Sequence, residues 1–213
     1  MKFDELLALV EDEPVFETSL LLSGDVDPVK VRKQLSRWAG NGRLHRLRRG
    51  LYALAPPYRK VKAHPFVVSN RMVRPSYVSL QSALAFHGLI PESVPVTTSI
   101  TTGRPGEFST PLGAFVFRHV QTPLFQGFRE VEMDNRQPAF VATPEKALLD
   151  LLYLEKGSDS VAYLAELRLE IDDGFDLDEL KRLSMSFGSC KVRRAVEGVI
   201  DRARETALVV GVL

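Results

Sequence analysis

Lys30, Lys33, Gln34 and Arg37 recur at i, i+3, i+4 and i+7, the spacing that puts four side chains on one face of an α-helix. Lysine and arginine at such positions bond phosphate oxygens or the O6 and N7 of guanine, and a glutamine amide pairs bidentately with adenine. Just downstream, Arg43, Arg46, Arg48 and Arg49 crowd within seven residues, with Leu44, Leu47 and Leu51 between and after them. Like charges packed this densely repel one another until a polyanion neutralises them. The chemistry these residues offer is recognition of nucleic acid. Gln34 is the best single candidate for reading a base, because it adds hydrogen-bond direction without adding charge. A solvated helix face would account for the first stripe alone; the adjoining arginine cluster turns the balance toward nucleic acid.

The elements that must position these residues are legible around them. Asp27 reads as an N-cap and Pro28 as the first residue of a helix that runs to about Ala39, where Gly40-Asn41-Gly42 stops it. On that helix Val31, Leu35 and Trp38 form a buried stripe, centred about a third of the circumference from the cationic one. A helix about 18 Å long suits a major groove about 12 Å wide. The spacing predicts an earlier helix over residues 2–12, with Phe3, Leu6, Leu7, Leu9 and Val10 as its stripe, and a short one over Glu17–Leu22 ending at Ser23-Gly24. Residues 43–54 read as two alternating strands around Arg48-Arg49-Gly50, a tip shaped to follow phosphates or enter a minor groove. Three helices and a hairpin in under 60 residues make a winged helix-turn-helix.

Charge is sorted along the chain. Between Asp27 and Glu92 there is no acidic residue, yet residues 28–91 carry 13 Lys and Arg, while the whole chain holds 28 basic against 27 acidic groups. The Pro-containing basic stretch that follows the hairpin reads as a linker. Beyond it the pattern is mixed: a helix over 79–88 capped by Ser79 and stopped by Gly88, strands at 96–102, 113–120 and 128–133, and a helix opened by Thr143-Pro144. Asp176 and Ser189 should cap two more helices, the last presenting Val192, Val196, Val199, Ile200 and Ala203 on one face. The expected fold class is α+β: an N-terminal winged helix-turn-helix over 1–57, a linker over 58–66, and a mixed α/β domain ending in helices over 67–213.

Other candidates are weaker. His45, His64, His87 and His119 show no metal-ligand spacing, and His87 beside Gly88 reads as a C-terminal cap. Ser23-Gly24-Asp25-Val26-Asp27 has only a superficial likeness to a nucleotidyltransferase metal motif, its Ser-Gly and two Asp being compressed together, and Asp27 is better explained as a cap. Thr102-Gly103-Arg104-Pro105-Gly106 is a turn. Cys190, the lone cysteine, reads as an ordinary packed thiol, with redox sensing as the alternative. Glu145, Lys146 and Asp150 read as a solvated helix face, with a toxin-neutralising site as the alternative. Phe115, Phe117, Phe125 and Phe128 read as packing, Arg71, Arg74 and Arg118 as possible extensions of the basic footprint, and residues 207–213 as an end packed on its own domain. No catalytic residue, cofactor or metal site is expected.

A family enters on an ordered set of blocks: RLRRGLYAL (46–54), YVSLQSALAFHGLIPE (77–92), FSTPLGAFVFRHV (108–120), LFQGFREVE (124–132) and ATPEKALLDLLYL (142–154). Together they make residues 1–160 resemble the AbiEi family of bacterial antitoxins and transcriptional regulators. The resemblance implies a repressor with an N-terminal winged helix and an AbiEi domain, binding inverted repeats in double-stranded DNA of its own promoter. It also implies a type IV toxin–antitoxin system of the abortive-infection kind, in which a nucleotidyltransferase-like toxin is counteracted without a stable complex. The DNA-contacting role passes to Lys30, Lys33, Gln34, Arg37, Arg43, Arg46, Arg48 and Arg49. Three other readings compete: a stand-alone regulator without a toxin, an RNA-binding module, and an enzyme on nucleotides, which lacks a visible nucleophile or metal set. Few free aromatics disfavour RNA, since residues 28–63, which hold the cationic helix and hairpin, offer only Trp38, Tyr52 and Tyr58. With no apolar run long enough to span a bilayer, no signal-peptide pattern and one cysteine, the expected setting is the cytoplasm, away from membranes.

Overall fold

The computed structural model describes residues 1–23, 26–171 and 174–210, with side chains followed to residue 205. It is a mixed α+β protein with two sheets. The Gly24-Asp25 part of the Ser23–Asp27 motif lies outside the described residues, and so do the side chains of the apolar end at 207–213.

Helix α1 (Phe3–Val10) buries Phe3, Leu6 and Val10; Leu9, expected on the same stripe, is exposed. The second helical segment is a 3-10 stretch, Thr18–Leu22, and not an α-helix. Helix α2 (Pro28–Gly40) starts where the cap signals place it. The Asp27 carboxylate accepts from the N–H groups of Val29 and Lys30 at 2.8 and 3.4 Å, and Val31, Leu35 and Trp38 are buried. Strands β1 (Phe16–Glu17), β2 (Leu44–Arg48) and β3 (Leu51–Leu54) form an antiparallel sheet in the order β1-β3-β2. On one face Phe16, Leu44, Tyr52 and Leu54 close a core with α1 and α2.

The hairpin was expected to alternate between a buried and a free face. All four residues of β3 are buried instead. Leu47, Leu51 and Ala53 meet Val68, Met72, Phe115 and Phe117 on the far side, so the small sheet is sandwiched between α2 and the rest of the chain.

The larger sheet runs β6-β7-β5-β4-β9-β8, built from β4 (Ser76–Val78), β5 (Val96–Thr101), β6 (Gly106–Thr110), β7 (Gly113–His119), β8 (Phe128–Met133) and β9 (Gln137–Ala142). Helix α3 (Pro65–Met72) crosses one face, where the Ser69 and Ser99 hydroxyls meet at 2.7 Å. The main core joins the sheet to α4 (Leu80–Phe86), α5 (Pro144–Leu154), α6 (Val161–Glu166), α7 (Leu177–Ser184) and α8 (Cys190–Val210). The caps at Thr143 and Asp176 bond as expected, and His87 ends α4 with its Nε2 2.8 Å from the Ala142 carbonyl oxygen. Cys190 corrects an expectation: it is exposed, not packed. As the first residue of α8 it precedes the buried stripe, and Arg193 donates to its Sγ at 3.1 Å.

The basic stretch after the hairpin is tied down on arrival at the large sheet. Buried Gln137 accepts from the His64 N–H at 3.0 Å and donates to the carbonyls of Lys62 and Asp134. His64 in turn caps α3, its Nδ1 accepting from the Phe66 N–H at 3.2 Å, which only the neutral ring can do. Burial pushes the His64 pKa below its ordinary 6.5, opposed by the charge of Asp134. A depressed folded value means that the cap is fully present above pH 6.5 and lost as pH falls through the folded value. Urea midpoints at pH 7.5 and 5.5 should therefore differ by more in the natural chain than in His64→Asn, which caps without titrating. The cap itself is worth about 1 kcal/mol.

Candidate nucleic-acid interface

The cationic face of α2 lies about a third of the circumference from its anchor. Trp38 packs edge-on to Phe3 at 5.2 Å, fixing the helix on α1, while Lys30, Lys33 and Arg37 point to solvent. Lys30 has an exposed contact with its own cap, 3.8 Å from Asp27. Lys33 and Arg37 make no ion pair among the described residues, and neither do Arg43, Arg46 and Arg49. Elsewhere Arg71, Arg74 and Arg118 hold Glu13, Glu17 and Glu155 at 3.5, 3.5 and 3.0 Å, so those three are engaged within the chain rather than added to the basic face.

Gln34 is half-buried beside α1, and its amide donates weakly to the Met1 carbonyl at 3.4 Å. It is on the expected face but at its α1 edge. The hairpin arginines divide. Arg43 sets its guanidinium 4.9 Å from the Phe3 ring centroid. Arg46 pairs in register with Tyr52, which faces α2, and is exposed on that side. Arg49 is exposed at the turn, where Gly50 adopts φ +83, a left-handed conformation that favours glycine. The turn is moored: the Gly50 carbonyl accepts from the Thr18 N–H at 2.8 Å and the Thr18 hydroxyl at 3.3 Å. Arg48 departs from the group. A bulge between Arg46 and Arg48 puts it in register with Leu51, on the face turned to the large sheet. Its Nε is buried without a partner, and Nη1 donates to the Arg49 carbonyl at 3.1 Å.

The structure thus brings Lys30, Lys33, Gln34, Arg37, Arg43 and Arg46 around one helix–hairpin surface, with Arg49 at its margin and Arg48 behind it. Trp38 and Tyr52 are buried, and Tyr58 is engaged edge-on with Phe3 at 4.9 Å, so the surface offers little for unstacked bases. No group of three or more His, Cys, Asp or Glu among the described residues is arranged to hold a metal ion.

No protein-family model and no curated protein matches this chain.

A second constellation overturns the expectation for α5. Glu145, Lys146 and Asp150 are buried, not solvated. Asp150 accepts from the Ser79 hydroxyl at 2.8 Å, from the Tyr77 hydroxyl at 3.0 Å and from the Lys146 ammonium one turn away. The Lys146 Nζ sits 5.0 Å from the Phe187 ring centroid and 5.6 Å from that of Tyr77, and Glu145 accepts from the Asp176 N–H at 3.0 Å. Burial pushes the Asp150 carboxyl up and the Lys146 amine down; their mutual attraction opposes both shifts. Burial, reinforced by Asp150, also raises the Tyr77 hydroxyl, which stays protonated and donating. Because Ser79 serves Asp150, it gives no side-chain cap to α4, and the next residue, buried Leu80, takes the left-handed φ of +53.

The network also dictates a glycine. Gly127 adopts φ +75, and a Cβ there would lie 3.0–3.2 Å from three carbons of Lys146. Gly127→Ala should destabilise by about 1–3 kcal/mol through backbone conformation and overpacking together, read as a lowered urea midpoint. An unchanged midpoint would show that Lys146 yields freely.

Proposed function

We propose that this chain is a sequence-specific DNA-binding repressor of its own operon and the antitoxin of a type IV system directed against a nucleotidyltransferase-like toxin. Residues 1–57 act as a winged helix-turn-helix, with α2 as recognition helix and the β2–β3 hairpin as wing, and residues 67–213 form the AbiEi-type domain. The observation that carries the DNA reading is the set of exposed cations Lys33, Arg37, Arg43, Arg46 and Arg49, none in an ion pair among the described residues, beside a helix anchored through Val31, Leu35 and Trp38. The operon and toxin roles rest on the ordered AbiEi-like blocks.

The test is a salt titration of binding to the chain's own upstream duplex against a scrambled duplex of equal length. With about six phosphate contacts, log K should fall against log salt with a slope near −5. Arg49→Ala should reduce that slope by about 1 without altering base preference. Arg48→Ala, on the opposite face, should leave the slope nearly unchanged. Equal, weak binding to both duplexes would refute sequence-specific repression. Survival of cells co-expressing a nucleotidyltransferase-like toxin, taken from the same operon where one is encoded there, tests the antitoxin role.

Gln34 has its own signature. Gln34→Ala should cost roughly 1–3 kcal/mol on the cognate duplex alone if it reads a base. Equal losses on cognate and scrambled DNA would remove it from that role and leave the Met1 contact as its function.

A further inference from the structure

Strands β4 and β9 pair in parallel through Val78 and Val141, and Asn70 of α3 bridges their N-terminal parts. Its Oδ1 accepts from the Phe140 N–H at 2.7 Å and its Nδ2 donates to the Ser76 carbonyl at 3.3 Å. Beside this bridge lies a groove of about 660 Å³, walled by Val67, Pro75, Phe125, Phe128, Pro138 and Phe140. Phe140 is 43% exposed, unusual for a phenylalanine on a sheet. Its ring meets Phe128 edge-on at 5.9 Å, and Phe128 meets Phe125 edge-on at 5.1 Å.

The polar groups of the groove are few. The Asn70 amide is committed to the two strands, and the Ser76 hydroxyl donates to the Val73 carbonyl at 2.6 Å. The charged lining residues are Arg71, Arg74 and Glu130. Arg71 and Arg74 hold Glu13 and Glu17 at 3.5 Å in part-exposed pairs, contacts of little strength that leave guanidinium N–H groups available.

We propose that this groove binds a small aromatic carboxylate, with its ring among Phe125, Phe128 and Phe140 and its carboxylate on Arg71 and Arg74. The volume is that of an ordinary small-molecule site, mostly apolar with a few placed charges. A guanidinium fork matches a carboxylate in plane and direction. Glu130, exposed on β8 opposite Phe140 in register, sets the orientation, because it repels the anionic end toward α3. With Glu13 and Glu17 also near, the surroundings select a single negative charge over several. The ligand competes with these two glutamates, Glu13 ahead of β1 and Glu17 within it, so occupancy loosens the two ion pairs that tie this stretch to Arg71 on α3 and to Arg74 just after it. Any effect of that loosening on DNA binding rests on the function proposed above; ligand binding itself does not.

The test is calorimetric titration of the full chain with naphthoate and, as neutral isostere, naphthamide. One site is expected, with naphthoate about tenfold tighter through its charge-assisted bonds. Phe140→Asp, an exposed position whose folding is checked by circular dichroism, should abolish binding of both. Arg71→Gln/Arg74→Gln should bring naphthoate down to the naphthamide level. Glu13→Gln/Glu17→Gln should instead tighten naphthoate several-fold by removing its competitors. Equal affinity for the two probes, binding indifferent to Phe140→Asp, or no binding of naphthoate would overturn the proposal. Loss of sequence-specific DNA binding would leave these outcomes untouched.

Discussion

Asp150→Ala is expected to destabilise the chain by about 3–5 kcal/mol, the cost of stranding a buried partner of a broken ion pair. Three donors converge on that carboxylate: the Lys146 ammonium and the hydroxyls of Tyr77 and Ser79. Each would be left in a dry core, with the Lys146 ammonium set against the ring faces of Tyr77 and Phe187. Lys146→Met/Asp150→Asn should be less damaging than Asp150→Ala, because Met keeps the stem packing and Asn still accepts from the two hydroxyls. A double variant as unstable as the single one would show that the pair itself, rather than the stranded charge, sets the cost.

Asp150→Asn adds a pH signature. It removes the Coulombic attraction that opposes desolvation at Lys146, so the amine moves further below its ordinary 10.5. With the folded value depressed, the unfolded chain binds more protons between the two values, and stability rises with pH across that window. Urea midpoints from pH 7 to 9.5 should therefore climb more steeply in Asp150→Asn than in the natural chain. Parallel profiles would mean that Lys146 reaches water after the substitution.

The contrast between α2 and α5 shows what a sequence reveals. In α2 the signals are local: Asp27 caps, Pro28 opens, and Val31, Leu35 and Trp38 bury on one face. Nothing distant alters them. In α5 the cap at Thr143 was equally legible, but Lys146 and Asp150 at i and i+4 look like any solvated pair on a helix surface. Their burial depends on Tyr77 and Ser79, 73 and 71 residues away from Asp150. A signal existed in Gly127, yet its meaning comes only from the approach of Lys146.

The same limit applies to the hairpin and to α3. Alternating leucines and arginines in β2 announced a strand with one apolar side, but the cover supplied by Phe115 and Phe117 comes from β7. That cover, with the bulge after Arg46, is why Arg48 parts from its neighbours. Helix α3 was hidden because its cap is a histidine and its entry is fixed by Gln137, far along the chain.

The largest expected effect on function falls on α2. Lys33→Glu/Arg37→Glu should weaken binding to the upstream duplex by on the order of a hundredfold or more. Each charge-assisted contact to phosphate or base is worth about 1.5–3 kcal/mol, and reversal replaces two of them with repulsion. Both side chains are exposed and in no ion pair among the described residues, one helical turn apart, off the stripe of Val31, Leu35 and Trp38. The fold should survive with an unchanged urea midpoint, because no contact of the core is touched. Salt decides what was lost: if both residues meet phosphates, the slope of log K should fall in magnitude by about 2, and the residual affinity should show less preference for the cognate duplex only where a base was also read. Arg71→Glu, whose charge is held by Glu13 away from this face, serves as the control and should leave the slope intact. If that control weakens DNA binding as much as the α2 pair, the polyanion meets the chain across α3 and the large sheet, and the recognition role of α2 is wrong.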